Sequence, residues 1–180
     1  MILTPDRYRR MPWANGKGVT EEMLRIDGPD GLVLRLSRAQ VVEDGDFSLF
    51  PGIDRSLTVL TGPGFDLEGD GLALQARPML PVAFPGDVPV RAIGVTAPCD
   101  DFNVMTARAL PRPEVRVMQA GQVAWGDWLV LYALGAARVG ERALPDRALM
   151  LVQGSARLTE GRALAVKLEG LDPDPMRKIG

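Results

Sequence analysis

The segment Trp13-Ala14-Asn15-Gly16-Lys17-Gly18-Val19-Thr20-Glu21 gathers an indole, an amide, two glycines, an ammonium, a hydroxyl and a carboxylate. Glycine lets the backbone turn with positive φ or lie close to a ligand, and Asn-Gly is a turn pair. The segment reads as a ligand-cradling loop or as a tight hairpin covered by Trp13. It is not a phosphate-binding P-loop, where Ser or Thr follows Gly-Lys, because Gly18 follows Lys17 here. Three further stretches carry groups able to read a ligand. Arg35 and Ser37 lie two apart and share one face of a strand. Gly45 to Arg55 supplies Phe47, Ser48, Phe50 and Arg55, and Asp100 to Met105 supplies two carboxylates, Phe102, Asn103 and Met105. The last of these reads as an Asx-rich turn, since such side chains bond their own backbone. An arginine fork holds a carboxylate in its plane. Asn15 or Asn103 can read an amide or carbonyl, and Trp13, Phe47 and Phe102 can wall a cavity. The chemistry indicated is capture of a small organic acid.

Other chemistries lose their reagents. The chain has no histidine and one cysteine, Cys99, so the commonest metal ligand, the commonest general base and any intrachain disulfide are missing. Carboxylate-only sites for Mg²⁺ or Ca²⁺ stay open, but no EF-hand spacing occurs. Ser48 has no histidine to activate it and no Gly-x-Ser-x-Gly setting. Acidic neighbours hold the Cys99 thiol unreactive. Glu21, Glu22, Asp100, Asp101, Tyr8 and Lys17 are left for acid/base work, each needing burial or a neighbour to shift its pKa. The balance of 21 basic and 23 acidic residues, with a pI near 5.2, speaks against nucleic-acid binding. No apolar run reaches the ~20 residues of a membrane span. The first residues lack a basic region followed by an apolar one. A cytoplasmic protein, with no membrane partner, is expected.

The elements that must position these groups are β. Twenty Gly and fifteen Pro argue for many turns, and Leu32 to Ser37 alternates leucine with Val33, Arg35 and Ser37. Strands are expected at 32–37, 56–61, 65–67, 72–76, 82–84, 88–95, 115–118, 128–134, 148–152, 156–159 and 163–168. Turns at Gly62-Pro63-Gly64, 68–71, 85–87, Gln153-Gly154 and Glu160-Gly161 separate them. Short strands with Gly/Pro-rich turns make an antiparallel sandwich or barrel. A short helix capped by Thr20 is possible at 20–24. The pattern of 57–95 has a faint echo in 129–168, which two similar lobes would explain. In a closed barrel Arg35 points into the lumen and needs a carboxylate beside it; in an open sheet it faces solvent.

The ordered motifs Tyr8-Arg9-Arg10-Met11-Pro12-Trp13-Ala14-Asn15-Gly16-Lys17-Gly18-Val19-Thr20, Arg35-Leu36-Ser37, Gly45 to Arg55 and Asp101-Phe102-Asn103-Val104-Met105 resemble the HutD/Ves family of small bicupins. The resemblance spans residues 8–105, with a weaker second-cupin pattern beyond. The chain departs from many members by carrying Lys17 where they have Gly and Ala14 where they have Lys. The resemblance implies an all-β fold: a cupin-like antiparallel β-barrel over 1–110, with the Gly-rich loop, and a second, smaller cupin-like lobe over 111–172. A loose tail over 173–180 follows. It implies no cofactor, no metal, and a role in histidine utilisation or stress response. One proposal makes such proteins sensors of a pathway acid such as formylglutamate. The residues expected at the ligand are Trp13, Asn15, Gly16, Lys17, Gly18, Thr20, Glu21, Arg35, Ser37, Phe47, Ser48, Phe50, Arg55, Phe102, Asn103 and Met105. The competing readings are a metal-independent isomerase, epimerase or lyase using Glu21, Asp101, Tyr8 or Lys17, and a structural or protein-interaction role. Leu32, Leu34, Leu36, Trp125 and Trp128 offer apolar surface for a homodimer.

Overall fold

Side chains alternate between the two faces of a strand. In the computed structural model, which describes residues 1–12 and 18–171, that alternation turns apolar residues from both lobes into buried β cores, while Leu49, Leu80 and Trp125 stay exposed. β1 (Ile2–Leu3) leads through a 3-10 turn (Pro5–Arg7) to β2 (Arg9–Pro12), β3 (Val19–Gly28), β4 (Gly31–Val41) and β5 (Gly45–Asp46). β6 (Ile53–Thr61), β7 (Phe65–Gly69), β8 (Leu72–Ala76), β9 (Val82–Pro85), β10 (Val90–Ile93) and β11 (Cys99–Ala107) follow. β12 (Glu114–Gln119), β13 (Val123–Ala133), β14 (Ala137–Val139), β15 (Arg142–Leu144), β16 (Leu149–Glu160) and β17 (Arg162–Leu168) complete the set. Among the described residues no helix is long and apolar enough to cross a membrane.

The chain divides into two units, one of Arg9–Arg108 and one of Met1–Tyr8 with everything from Ala109 on. The division therefore differs from a simple cut near residue 110. β1 pairs with β16, setting Ile2 opposite Met150, so the first residues complete the C-terminal lobe. In the Arg9–Arg108 unit, one sheet runs β2-β3-β4-β11-β6-β9 and the other β5-β10-β7-β8. Leu57, Val59, Phe65, Leu67, Phe84, Val90 and Cys99, drawn from both sheets, form one buried cluster between them. The other unit is built on the order β12-β17-β13-β16-β14-β15. Its inward face is filled by Met118, Leu129, Leu131, Leu144, Met150 and Leu158 with seven alanines, Ala133 and Ala165 among them. Both lobes have the jelly-roll character of cupins.

Three local expectations change. Residues 20–24 are not helical: they lie in β3, hydrogen-bonded between β2 and β4. The strand wins because Glu21 and Glu22 each find an arginine on β4, while Met23, Leu24 and Ile26 are buried. Asp100 to Met105 is no turn but most of β11, flanked by β4 and β6. Gln153-Gly154 lies inside β16, where Gly154 takes φ +83° opposite a bulge at Gly126 to Trp128 that bends the strand without ending it. The 173–180 tail lies outside the described residues. Leu34 and Leu36 are fully buried and Trp128 nearly so, which leaves Trp125, 69% exposed, as the main remnant of the apolar surface considered for a homodimer.

Gly62-Pro63-Gly64 closes the β6–β7 connection with φ +92° and +89° at its two glycines. A Cβ at Gly64 would also run into the carbonyl oxygen of Ala76. Gly64→Ala is expected to destabilise the protein by about 2–4 kcal/mol, read from urea unfolding. A loss under about 0.5 kcal/mol, within the range of neutral surface changes, would show that this turn does not constrain the fold.

Candidate functional site

Cross-strand register assembles the site. Across β4, β11 and β6 the ladder sets Arg35 beside Met105 beside Arg55, then Ser37 beside Asn103 beside Leu57, then Ala39 beside Asp101 beside Val59. Period two turns Arg35, Ser37 and Ala39, together with Asp101, Asn103 and Met105, to one face. That face lines a cavity of about 590 Å³, which Met11, Pro12 and Thr20 also border on one side. The chain from Val41 to Phe50, with Phe47, Ser48 and Phe50, closes the other side.

Arg55 stands at the cavity with only 5% of its surface exposed. Its Nη2 donates to Asn103 Oδ1 at 2.9 Å, and its Nη1 to the Ser48 carbonyl at 3.4 Å. Its guanidinium carbon lies 5.0 Å from the ring centres of Phe47 and Phe84 and 5.7 Å from that of Phe50. The faces of these rings attract a cation. Its buried Nε has no hydrogen-bond partner. Burial pulls the guanidinium down to about 10, against the opposing pull of Asp101, and Arg35 lowers it further. It stays charged at neutral pH.

Asp101 is wholly buried and forms no direct ion pair with Arg55. Asn103 bridges them, donating from Nδ2 to Asp101 Oδ1 while its own Oδ1 serves Arg55. Asp101 Oδ2 is buried without a partner. Burial raises the Asp101 carboxyl to about 7; Arg55 opposes the rise, Asp100 adds to it, and hydrogen bonds from Asn103 and the Ala39 backbone restrain it. Arg35 is the second cation. Its Nε donates to Glu22 Oε2 at 2.7 Å, both side chains being about one-tenth exposed, and its Nη1 lies 3.9 Å from Met105 Sδ. This is the barrel arrangement, with the internal carboxylate that a lumen arginine requires.

The cavity thus brings together Thr20, Arg35, Ser37, Phe47, Ser48, Phe50, Arg55, Asn103 and Met105 of the expected residues, with Asp101. Others fall elsewhere. Phe102 is fully buried on the opposite face of β11, because its neighbours Asp101 and Asn103 take the cavity side. Glu21 likewise points away from Glu22 and pairs with Arg38, which also holds Asp100 at 2.7 Å. Gly18 does not border the cavity. Tyr8 belongs to the other lobe, its hydroxyl 2.7 Å from the Arg147 carbonyl and 3.2 Å from that of Leu3. Trp13, Asn15, Gly16 and Lys17 lie outside the described residues. Glu22, expected only as an acid/base candidate, does not border the cavity but holds Arg35 there; its signal is the parity of Thr20 and Glu22, visible once 19–28 is a strand. Among the described residues no cluster of three or more His, Cys, Asp or Glu side chains is placed to hold a metal ion.

Two cupin-like β-lobes in one chain, one enclosing a polar cavity, define a bicupin. A model of the HutD family matches residues 5–172, and the chain belongs to that family. It is 42% identical over 111 residues to an uncharacterized 21.2 kDa protein in the hutC 3′ region of Pseudomonas putida. That match takes in 59% of this chain and 57% of the relative, so the chain spans less than two thirds of that protein's length. Protein Ves of Citrobacter koseri is 32% identical over 144 residues, 76% of this chain and 75% of Ves. The structure of HutD from Pseudomonas fluorescens SBW25, in a formate condition, superposes with a TM-score of 0.83 at 29% identity, covering 94% of this chain and 97% of that one.

The raised Asp101 carboxyl has a stability consequence of definite sign. Below its ordinary value of 3.8 the acid is protonated folded or unfolded. Between there and about 7 the unfolded chain loses a proton that the fold keeps, so stability falls as pH rises, and above about 7 the whole cost stands. Asp101→Asn, which mimics the neutral acid, is expected to flatten this slope. Relative to the variant, the wild type should lose roughly 2–4 kcal/mol between pH 4 and pH 8, measured by urea unfolding at each pH. Parallel pH profiles for the two proteins would show that Asp101 ionises as freely in the fold as in water.

Proposed function

We propose that the Arg9–Arg108 lobe is a receptor for a small organic acid, and that the acid acts as a regulatory signal. The observation that carries this reading is the pair Arg35 and Arg55 turned into one cavity, Arg55 being buried with an unpartnered Nε. A guanidinium kept from water at such cost is well matched to a carboxylate, which accepts from its fork in one plane. Phe47 and Phe50 offer apolar walls, and Asn103 and Ser37 offer polar groups for the remainder of the ligand. The competing enzymatic reading has less support. Of Glu21, Asp101, Tyr8 and Lys17, Asp101 alone borders the cavity among the described residues, and the nearby Glu22 carboxylate is held by Arg35. Proton-transfer chemistry generally needs two such groups flanking one substrate.

The link to histidine utilisation rests on the relatives, one bearing the name HutD and another encoded in a hutC 3′ region. Formylglutamate is accordingly the first acid to test. Signalling further requires two states of the protein that differ in their affinity for the acid.

Titration calorimetry against formylglutamate, urocanate, glutamate and histidine is expected to give saturable binding for at least one acid. Arg55→Lys keeps the charge but loses the fork, and should weaken that binding at least about tenfold. Circular dichroism reports whether the variant folds, and Arg35→Lys provides a second test at a less buried position. No heat from this panel or from a wider set of dicarboxylates would end the receptor reading.

A further inference from the structure

The charges around the cavity floor balance before any ligand enters. β6 contributes Arg55, β4 contributes Arg35 and β11 contributes Asp101 to the lining; Glu22 of β3 does not border the cavity but pairs with Arg35. Asp100, the neighbour of Asp101, faces the other way and is bound to Arg38 and Thr61. Cys99, two residues along β11, accepts from the Gly64 N–H at 3.3 Å. The cavity border carries further acids, Glu43, Asp44 and Asp46. Asp44 accepts from the Val95 N–H, and Asp46 pairs with Arg91. Among the described residues, Arg35 and Arg55 are thus matched by Asp101 and by Glu22, the partner of Arg35, and the charged groups on the border are Glu43, Asp44 and Asp46.

A bound carboxylate would make a third anion beside those two cations. Buried like charges do not remain ionised together where water cannot screen them. Glu22 sits in direct contact with Arg35, 2.7 Å from its Nε. Asp101 has no such contact: it reaches Arg55 only through Asn103, and its Oδ2 is buried with nothing bonded to it. Resting on the organic-acid reading above, we propose that the cavity takes up its acid together with one proton, stored by Asp101 on Oδ2. The proton comes from solvent. Oδ1 goes on accepting from Asn103, no other bond changes, and the buried set returns to neutrality. The free carboxyl sits near 7, where such uptake is easily driven. Binding therefore tightens as the solution becomes more acidic through the neutral range, and the receptor responds to acid concentration and pH together.

The test is calorimetry with formylglutamate and, as a plain diacid, glutarate, at pH 5.5 and pH 8, in two buffers at each pH that titrate there and differ in ionisation enthalpy, such as HEPES and Tris at pH 8. At pH 8 the wild type is expected to take up close to one proton per acid bound, and at pH 5.5 close to none. Its affinity should fall about tenfold between pH 6 and pH 8, following from a carboxyl near 7. Asp101→Asn, fixed in the neutral form, should take up no proton at either pH and bind about tenfold more tightly than wild type at pH 8. Binding by the wild type with no proton uptake, or uptake unchanged in Asp101→Asn, would overturn proton coupling and leave the receptor reading standing. Failure of both acids to bind at either pH would remove the receptor reading and the coupling with it.

Discussion

A guanidinium removed from water is the constraint around which the first lobe is organised. Charge burial is costly unless hydrogen bonds and opposite charge offset it. Here Asn103, the Ser48 carbonyl, three phenylalanine rings and, at one remove, Asp101 do so. The compensation is incomplete: Nε stays unpartnered, and Asp101 is held toward its neutral form. A fold selected for stability alone would fill this position with an apolar side chain. The first lobe thus carries a buried cation and a buried carboxyl at a cavity in addition to its apolar cluster, whereas the cluster of the second lobe is wholly apolar.

β11 is the element that makes this possible. Lying between β4 and β6, it brings residues distant in sequence onto one face, Arg55 and Asn103 meeting across 48 positions. Its alternation separates the two chemistries: Asp101, Asn103 and Met105 border the cavity, while Phe102 and Val104 are buried on the other side. Even the adjacent acids Asp100 and Asp101 are parted this way. Asp100 joins a partly exposed ion pair with Arg38 and Asp101 enters a buried polar chain.

Much of this was legible in the sequence where period two was unbroken. Leu32 to Ser37 announced which face of β4 would carry Arg35 and Ser37, and the Gly/Pro punctuation announced the turns. The sequence was illegible where two periodicities competed or where a bulge intervened. Thr20-Glu21-Glu22-Met23-Leu24 fits a helical start as well as a strand, and only pairing with β2 and β4 decides the matter. Glu21 is expected at the ligand because it ends the Trp13 to Glu21 block, yet in the strand it pairs with Arg38 while Glu22 holds Arg35. Phe102 was drawn to the cavity by its aromatic character, although strand parity with Asn103 excludes it. Tyr8 sits beside the motif in sequence yet serves the other lobe, because β1 joins β16, a pairing about 150 residues apart that no local pattern reports.

The most direct measurement is a crystal structure of the protein grown with formylglutamate. A carboxylate of the ligand should lie in the cavity about 2.7–2.9 Å from guanidinium nitrogens of Arg55 or Arg35, with Asn103 still bridging Arg55 and Asp101. A ligand bound away from both arginines, or an Arg55 side chain turned out to solvent, would contradict an organic-acid receptor built on the buried guanidinium.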